Sequence, residues 1–316
     1  MATTAQSLSK VIQGLWKDRS NDPSQLPKAL IFAPTNEVLG NGQFQVLNDD
    51  LRLDARDPAA GTARADAADY ASGDYGYSTV SVQTARHASL LYRLPQNVID
   101  AIEDQNRMVS VANDAMKAVS SQILDRFTAN FVAEVTANAT ALSTLDLSDV
   151  TTDLIAYFDA AIEAIELAGS KRPTHLLMGA AAFRALRNCD QVQGSTSLGG
   201  AASGGSFRRT GYAPMSAVSE FFRAAFGLEV LIEDRTFINA AGTAAYTLDT
   251  SMVLGVAGDP TGGSIVTFSR TPGLIEFDVR ELALPAPLGI GVACNADYSV
   301  KVTDSDKVRR IPLTLP

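Results

Sequence analysis

The hydrophobic pattern is strongest between Met108 and Val135, where neither Gly nor Pro interrupts the chain. Apolar residues fall at Ala112, Met116, Val119, Ile123, Phe127, Phe131 and Val135, the three-and-four spacing that lays one stripe along an α-helix. Asn113, Asp114, Lys117, Ser121, Gln122, Asp125 and Asn130 occupy the other faces. At ~1.5 Å per residue this is a rod of roughly 40 Å, longer than the usual globular helix. A stripe of that length must be covered. Residues 1–107 are poorly suited to cover it alone, so the pattern predicts a subunit whose fold is completed by neighbours.

Upstream, Leu8, Val11, Ile12, Leu15 and Trp16 mark one face of a helix over Ser7–Lys17, too short to hold its shape undocked. Lys28–Ala33 and Gln43–Leu47 read as short strands, with Gly40-Asn41-Gly42 as the turn between them. Asp54–Asp74 carries almost no large apolar residue and reads as an extended tip. Strand character returns over Tyr75–Leu94 through Tyr77, Val80, Val82, Leu90 and Tyr92. A two-stranded projection has no hydrophobic face of its own to bury, so it is expected to lie across another subunit. A short helix at Asn97–Asp104 leads into the long one.

Downstream, Ser148 or Asp149 is placed to cap a helix over Thr152–Ala168, which Gly169 and Pro173 end. The pattern then becomes α/β. His175–Met178 reads as a buried strand, and Ala181–Arg187 and Ser216–Phe226 as helices, the second closed by Gly227. Leu228–Ile232, Ala245–Leu248 and Met252–Val256 read as strands. Gln193–Tyr212, with its run from Gly199 to Gly205, reads as a surface loop. The end is mostly strand: Ile265–Ser269, Ile275–Leu282, Ile290–Ala293, Tyr298–Thr303 and Arg309–Leu313. The class is α+β.

Composition narrows the function. The 316 residues are 46% hydrophobic, enough for a sizeable core, and length alone suggests two domains. Only 19% are charged, below the usual quarter, which fits an exterior partly covered by partners. A net charge of −9 with a pI near 4.8 argues against tight sequence-independent binding to nucleic acid. Cys189 and Cys294 are the only cysteines, too few for a disulfide scaffold or a zinc site. No signal-like opening and no run of about 18 apolar residues occurs, so the chain is expected to be soluble and cytoplasmic when made.

No catalytic constellation emerges. The chain has two histidines, His87 and His175, and no HExxH or comparable pair. His175 lies within a predicted strand and reads as structural; His87 lies on the predicted hairpin, at solvent or an interface. After the glycine-rich run comes Ser206-Phe207-Arg208-Arg209, without the Lys-Ser/Thr of a phosphate-binding loop. Gly289-Ile290-Gly291 lacks the rest of a dinucleotide fingerprint. Asp49, Asp50, Asp54 and Asp57 lack the turn glycine and terminal glutamate of a calcium loop. Asp304 and Asp306 read as a charged turn, and Arg208-Arg209 and Arg309-Arg310 as small basic pairs. No catalytic, cofactor-binding or metal site is expected.

The order of parts has a recognisable shape. The projection ends in Tyr77-Ser78-Thr79-Val80-Ser81-Val82, and the long helix contains Ala115-Met116-Lys117-Ala118-Val119. Arg172-Pro173-Thr174-His175-Leu176-Leu177-Met178-Gly179 precedes the helix Ala181-Ala182-Phe183-Arg184-Ala185-Leu186. Then come Phe226-Gly227-Leu228-Glu229-Val230-Leu231 and, last, Asp297-Tyr298-Ser299-Val300-Lys301-Val302. Over nearly its whole length the chain resembles the major capsid proteins of tailed bacteriophages, the Hong Kong 97 fold.

That resemblance implies an N-terminal arm at 1–28, an extended loop at 29–94, a peripheral domain at 95–140 with the spine helix, an axial domain at 141–269, and peripheral strands at 270–316. It implies self-assembly into pentamers and hexamers of an icosahedral shell around double-stranded DNA. The location implied is the virion, with the host cytoplasm during assembly. Partners would be other copies, a portal, a decoration or cement protein, and DNA through weak non-specific contact, with no membrane. The spine begins near residue 108 and leaves no room for a long scaffolding segment, so a separate scaffolding protein is implied and N-terminal processing is not. No lysine lies between Lys28 and Lys117, which argues against the lysine–asparagine cross-link of some relatives. Two alternatives stand beside this reading: an encapsulin-like bacterial compartment, with Leu8–Trp16 touching cargo, and a soluble enzyme with an α/β domain at 150–260.

Overall fold

The computed structural model describes residues 2–20, 26–38, 42–47, 77–105, 107–168, 171–198, 216–238, 244–246, 248–257, 264–271, 273–282 and 289–316. The chain opens with helices α1 (Ala2–Ser20) and α2 (Lys28–Phe32) and strand β1 (Thr35–Glu37). Strands β2 (Gly42–Leu47), β3 (Tyr77–Val82), β4 (Ala85–Ala88) and β5 (Tyr92–Pro95) follow. Then come α3 (Gln96–Gln105) and the long helix α4 (Met108–Asn138), with short strands β6 (Thr140–Ala141) and β7 (Leu145–Asp146). The α/β part runs α5 (Leu154–Leu167), β8 (His175–Gly179), α6 (Ala180–Leu186), α7 (Asp190–Leu198), α8 (Ala217–Phe226) and β9 (Glu229–Glu233). Strands β10 (Thr236–Ile238), β11 (Ala244–Tyr246), β12 (Ser251–Gly255), β13 (Ile265–Ser269), β14 (Glu276–Leu282), β15 (Gly289–Val302) and β16 (Val308–Thr314) complete it.

All seven residues of the predicted stripe on α4 are buried, with Ala115, Ser120, Leu124 and Thr128 widening it. What covers them is the chain itself. Phe127 stacks at 5.4 Å on Tyr298 of β15, and Phe131 meets Phe32 of α2 edge-on at 6.0 Å. The Cys294 thiol donates to the Val119 carbonyl at 3.1 Å, and Asn130 donates to the Tyr298 hydroxyl at 3.1 Å. The N-terminal helix seals the other flank, with Leu8, Ile12 and Trp16 buried and Trp16 edge-on to Phe277 of β14 at 5.7 Å. The expectation that neighbours must cover the stripe is therefore corrected: arm, α2 and β15 close a core inside one subunit, with the arm docked on the subunit's own strands. Trp16, at 6% exposure, is also less buried than Leu8 and Ile12 at 2% and 0%.

Two sheets divide the molecule. In the first, β15 pairs with β13, β14, β4 and β5, all antiparallel, and β1 adds to β13 in parallel. The second has the order β6-β16-β12-β8-β9, with β7 also on β16. One face of its strands, through Leu177, Val253 and Val308, joins the core around α4. The other, through Leu176, Met178, Met252 and Leu254, packs under α5, α6 and α8. Burial on both faces explains the unbroken apolar runs of β8 and β12. Gly179 ends β8 where the backbone passes Leu248, and a Cβ there would collide with the Leu248 carbonyl oxygen.

Several sequence expectations change. Lys28–Ala33 is helix, not strand: a short apolar run fits either state, and a helical turn points Ala29 and Phe32 together into the core. The expected partner of Gln43–Leu47 across Gly40-Asn41-Gly42 is thus gone, and β2 pairs with β3 instead, Gly42 facing Val82 and Leu47 facing Tyr77. Asp153, not Ser148 or Asp149, caps α5, accepting from the Ala156 N–H. Asp190–Leu198 is helical, so the predicted loop from Gln193 starts within a helix. Ile290–Ala293 and Tyr298–Thr303 belong to one 14-residue strand. β13 lies in the first sheet and β16 in the second. Gly227 does close its helix in the left-handed region, at φ 72°.

Candidate assembly surfaces

The hairpin stem is one of two described strand pairs that join no larger sheet, the other being β10–β11. β2 and β3 form a two-stranded sheet joined to no other described strand. At its root, Val82 and Val38 pack on Val266 and Phe268 of β13, which fixes where the stem leaves the body. The tip at Asp54–Asp74 lies outside the described residues, as do Asp49, Asp50, Asp57, the glycine-rich run and Arg208-Arg209. A two-stranded stem is marginal alone, and no described strand pairs with either of its outer edges.

Large apolar side chains are exposed singly elsewhere: Leu90 at 75%, Leu167 at 74% and Val109 at 60%. A cleft of about 430 Å³ opens beside β15, lined by Arg86, Arg270, Thr271, Glu276, Asn295 and Asp297. Its charges have both signs, and Arg270 lies 3.8 Å from Asp297.

The residues weighed for chemistry are structural in their contacts. His87 is not on the hairpin. It sits on β4, opposite Ala296 of β15 and 4.5 Å over the Tyr298 ring. Burial, then Arg126, hold its pKa below the ordinary 6.5 against the pull of Asp297. His175 faces Glu229 at 3.3 Å across the β8–β9 pair. Both cysteines are buried, and burial pushes each thiol up to about 11. Asp304 caps the turn at 305–307 and holds Lys307 at 3.2 Å. Arg309 is no surface cation: it is 6% exposed and donates to the carbonyls of Ser305, Asp306, Val308 and Ala164. Among the described residues no group of three or more His, Cys, Asp or Glu is placed to hold a metal, and no helix is long and apolar enough to cross a membrane.

No protein-family model matches the chain, and no curated protein does. Solved structures match over nearly all of it. A phage-related protein from Bordetella bronchiseptica shares 14% identity over 97% of this chain and 96% of its own, with a TM-score of 0.56. The capsid of cyanophage P-SCSP1u shares 10% identity over 90% and 87%, with a TM-score of 0.53. A virus-like particle from Pyrococcus furiosus shares 9% identity over 96% and 98%, with a TM-score of 0.54. The chain has the Hong Kong 97 capsid fold. The α+β class and the resemblance drawn from element order both stand, in a chain whose identity to these structures is only 9–14%.

Proposed function

We propose that this protein is the major capsid subunit of a tailed bacteriophage, assembling through pentamers and hexamers into an icosahedral shell around the viral genome. The observation that carries this reading is a fold shared over 97% of this chain with a phage-related protein and over 90% with a phage capsid, together with a hairpin stem that no other described strand pairs. Residues 42–82 act as the extended loop. The first sheet with α4 forms the peripheral domain, and the second sheet with its helices the axial domain. Repeated heterologous contacts, each modest, close into a shell when their rotations fit the symmetry.

The subunit works by assembly and not by catalysis. Its histidines are engaged with Tyr298 and Glu229, and its cysteines are buried as neutral thiols, the reverse of the exposed, low-pKa setting of a reactive cysteine. A separate scaffolding protein, a portal and a decoration protein are its expected partners, with DNA met only through weak contact because the chain is acidic. Its places are the host cytoplasm during assembly and then the virion. Negative-stain microscopy and sedimentation of the purified protein test the reading. Empty shells, formed alone or with a scaffolding protein, support it. Shells that enclose a host enzyme would replace it with a cargo compartment, and compact monomers under all assembly conditions would sink it.

A further inference from the structure

One buried carboxylate sits where the arm, the long helix and the second sheet meet. Glu233, the last residue of β9, is 1% exposed. Its Oε2 accepts the Ala29 N–H at 3.2 Å, and the Lys28 N–H also points to it. These are the first N–H groups of α2, the helix whose Phe32 packs on the long helix. From β9's own end, the Arg235 N–H donates to Glu233 Oε1 at 3.3 Å, with the guanidinium Nε 4.0 Å away. That guanidinium, however, is turned to Asp125 of the long helix, with Nη1 at 2.9 Å from Oδ1. From the arm, Arg19 adds a second positive charge close enough to Arg235 to be disfavoured by it. The charged side chain recorded against the carboxylate is therefore Arg235 from the strand end, which in turn meets Asp125 of the long helix and lies near Arg19 of the arm.

We propose that Glu233 is a charge-loaded latch: its carboxylate ties α2 to the second sheet, and its ionisation biases that junction toward opening. The carboxylate is sealed from water, while the nearest guanidinium makes its close contact with another acid. Burial outweighs the N–H bonds and Arg235, so Glu233 is held above the ordinary carboxylate value of 4.5. In an opened junction the group meets water and returns toward that value. The closed state thus binds more protons, and closure is strongest at low pH and weakens as pH rises through the raised pKa. The latch is a property of the single subunit and does not depend on shell formation.

Hydrogen exchange of residues 28–33 in the free subunit, corrected for intrinsic rates between pH 5 and 8, tests the latch. One linked proton changes the opening equilibrium by up to about tenfold per pH unit. Wild-type protection should fall as pH rises. Glu233→Gln keeps an acceptor and removes the charge, so its protection should stay level across the range and exceed wild type at pH 8. Glu233→Ala, lacking the acceptor, should be less protected than Gln at every pH. A wild-type profile that is flat or rises with pH overturns the proposal, as does an identical slope in Glu233→Gln. If Glu233→Gln does not fold, the sign of the wild-type slope decides alone.

Discussion

Phe127 shows what one side chain contributes to this subunit. It is fully buried on the long helix, with its ring against Tyr298, whose hydroxyl is held by Asn130 and pushed up in pKa by burial. Replacing Phe127 by Ala removes the ring and leaves a cavity the rigid strand β15 cannot fill, a change that costs about 3–5 kcal/mol. Urea unfolding of the free subunit should show that loss, and a change under 1 kcal/mol (about the size of an ordinary surface substitution) would contradict the packing. His87, whose ring also meets this tyrosine, adds a pH dependence. Its pKa is depressed in the fold, so the folded state binds fewer protons than the unfolded chain. Its stabilising effect is present above the unfolded value of about 6.5 and is lost as pH falls through the lower folded value. Melting temperature should therefore decline below pH 6.5 more steeply in wild type than in His87→Phe; parallel curves would count against the stack as a titrating element. Of these residues the stripe on the long helix was legible, because a 3.6-residue period is written in the sequence itself. The burial of Glu233 and Arg309 was not, since a charged residue becomes internal only once distant segments close around it. His87 was misplaced on the hairpin because its strand pairs with Ala296, more than two hundred residues away.

Elements were legible where a pattern is long and ambiguous where it is short. The 31-residue helix, the α/β alternation and the glycine-closed helix α8 stand where the periodicity puts them. Lys28–Phe32 offered five residues and no period, and its state was settled by what it packs on. The same limit hid the arm's docking site: an amphipathic stripe says that a helix must be covered, not by what. With Trp16 already against Phe277 in the single subunit, its emission should be blue-shifted before assembly and change little when shells form. A red, solvent-like spectrum in the free subunit would place the arm elsewhere. Deleting residues 2–20 uncovers the core around the long helix. The truncated subunit should bind a hydrophobic dye and melt lower, while hydrogen exchange stays slow in β8 and β12, whose other face packs under α5, α6 and α8.

At the scale of the molecule, the hairpin is where a folded subunit and an assembling one part company. Both large cores close among the described residues around α4 and around α5, α6 and α8, and the stem meets the body at the small group of Val38, Val82, Val266 and Phe268. Residues beyond the stem have a composition poor in large apolar side chains, which gives them little to add to any core. Removing 57–73 should therefore leave the melting temperature of the free subunit nearly unchanged. Loop shortening of that kind alters closure entropy by less than about 1 kcal/mol. Shell formation should fail, because on the proposed reading the projection makes its contacts on neighbouring copies. Circular dichroism melts and negative-stain images of the same preparation separate the two effects. A truncated subunit that melts early would mean the hairpin belongs to the core after all. One that melts normally and still builds shells of normal size and stability would take the hairpin out of assembly, and with it the principal contact on which the capsid reading relies.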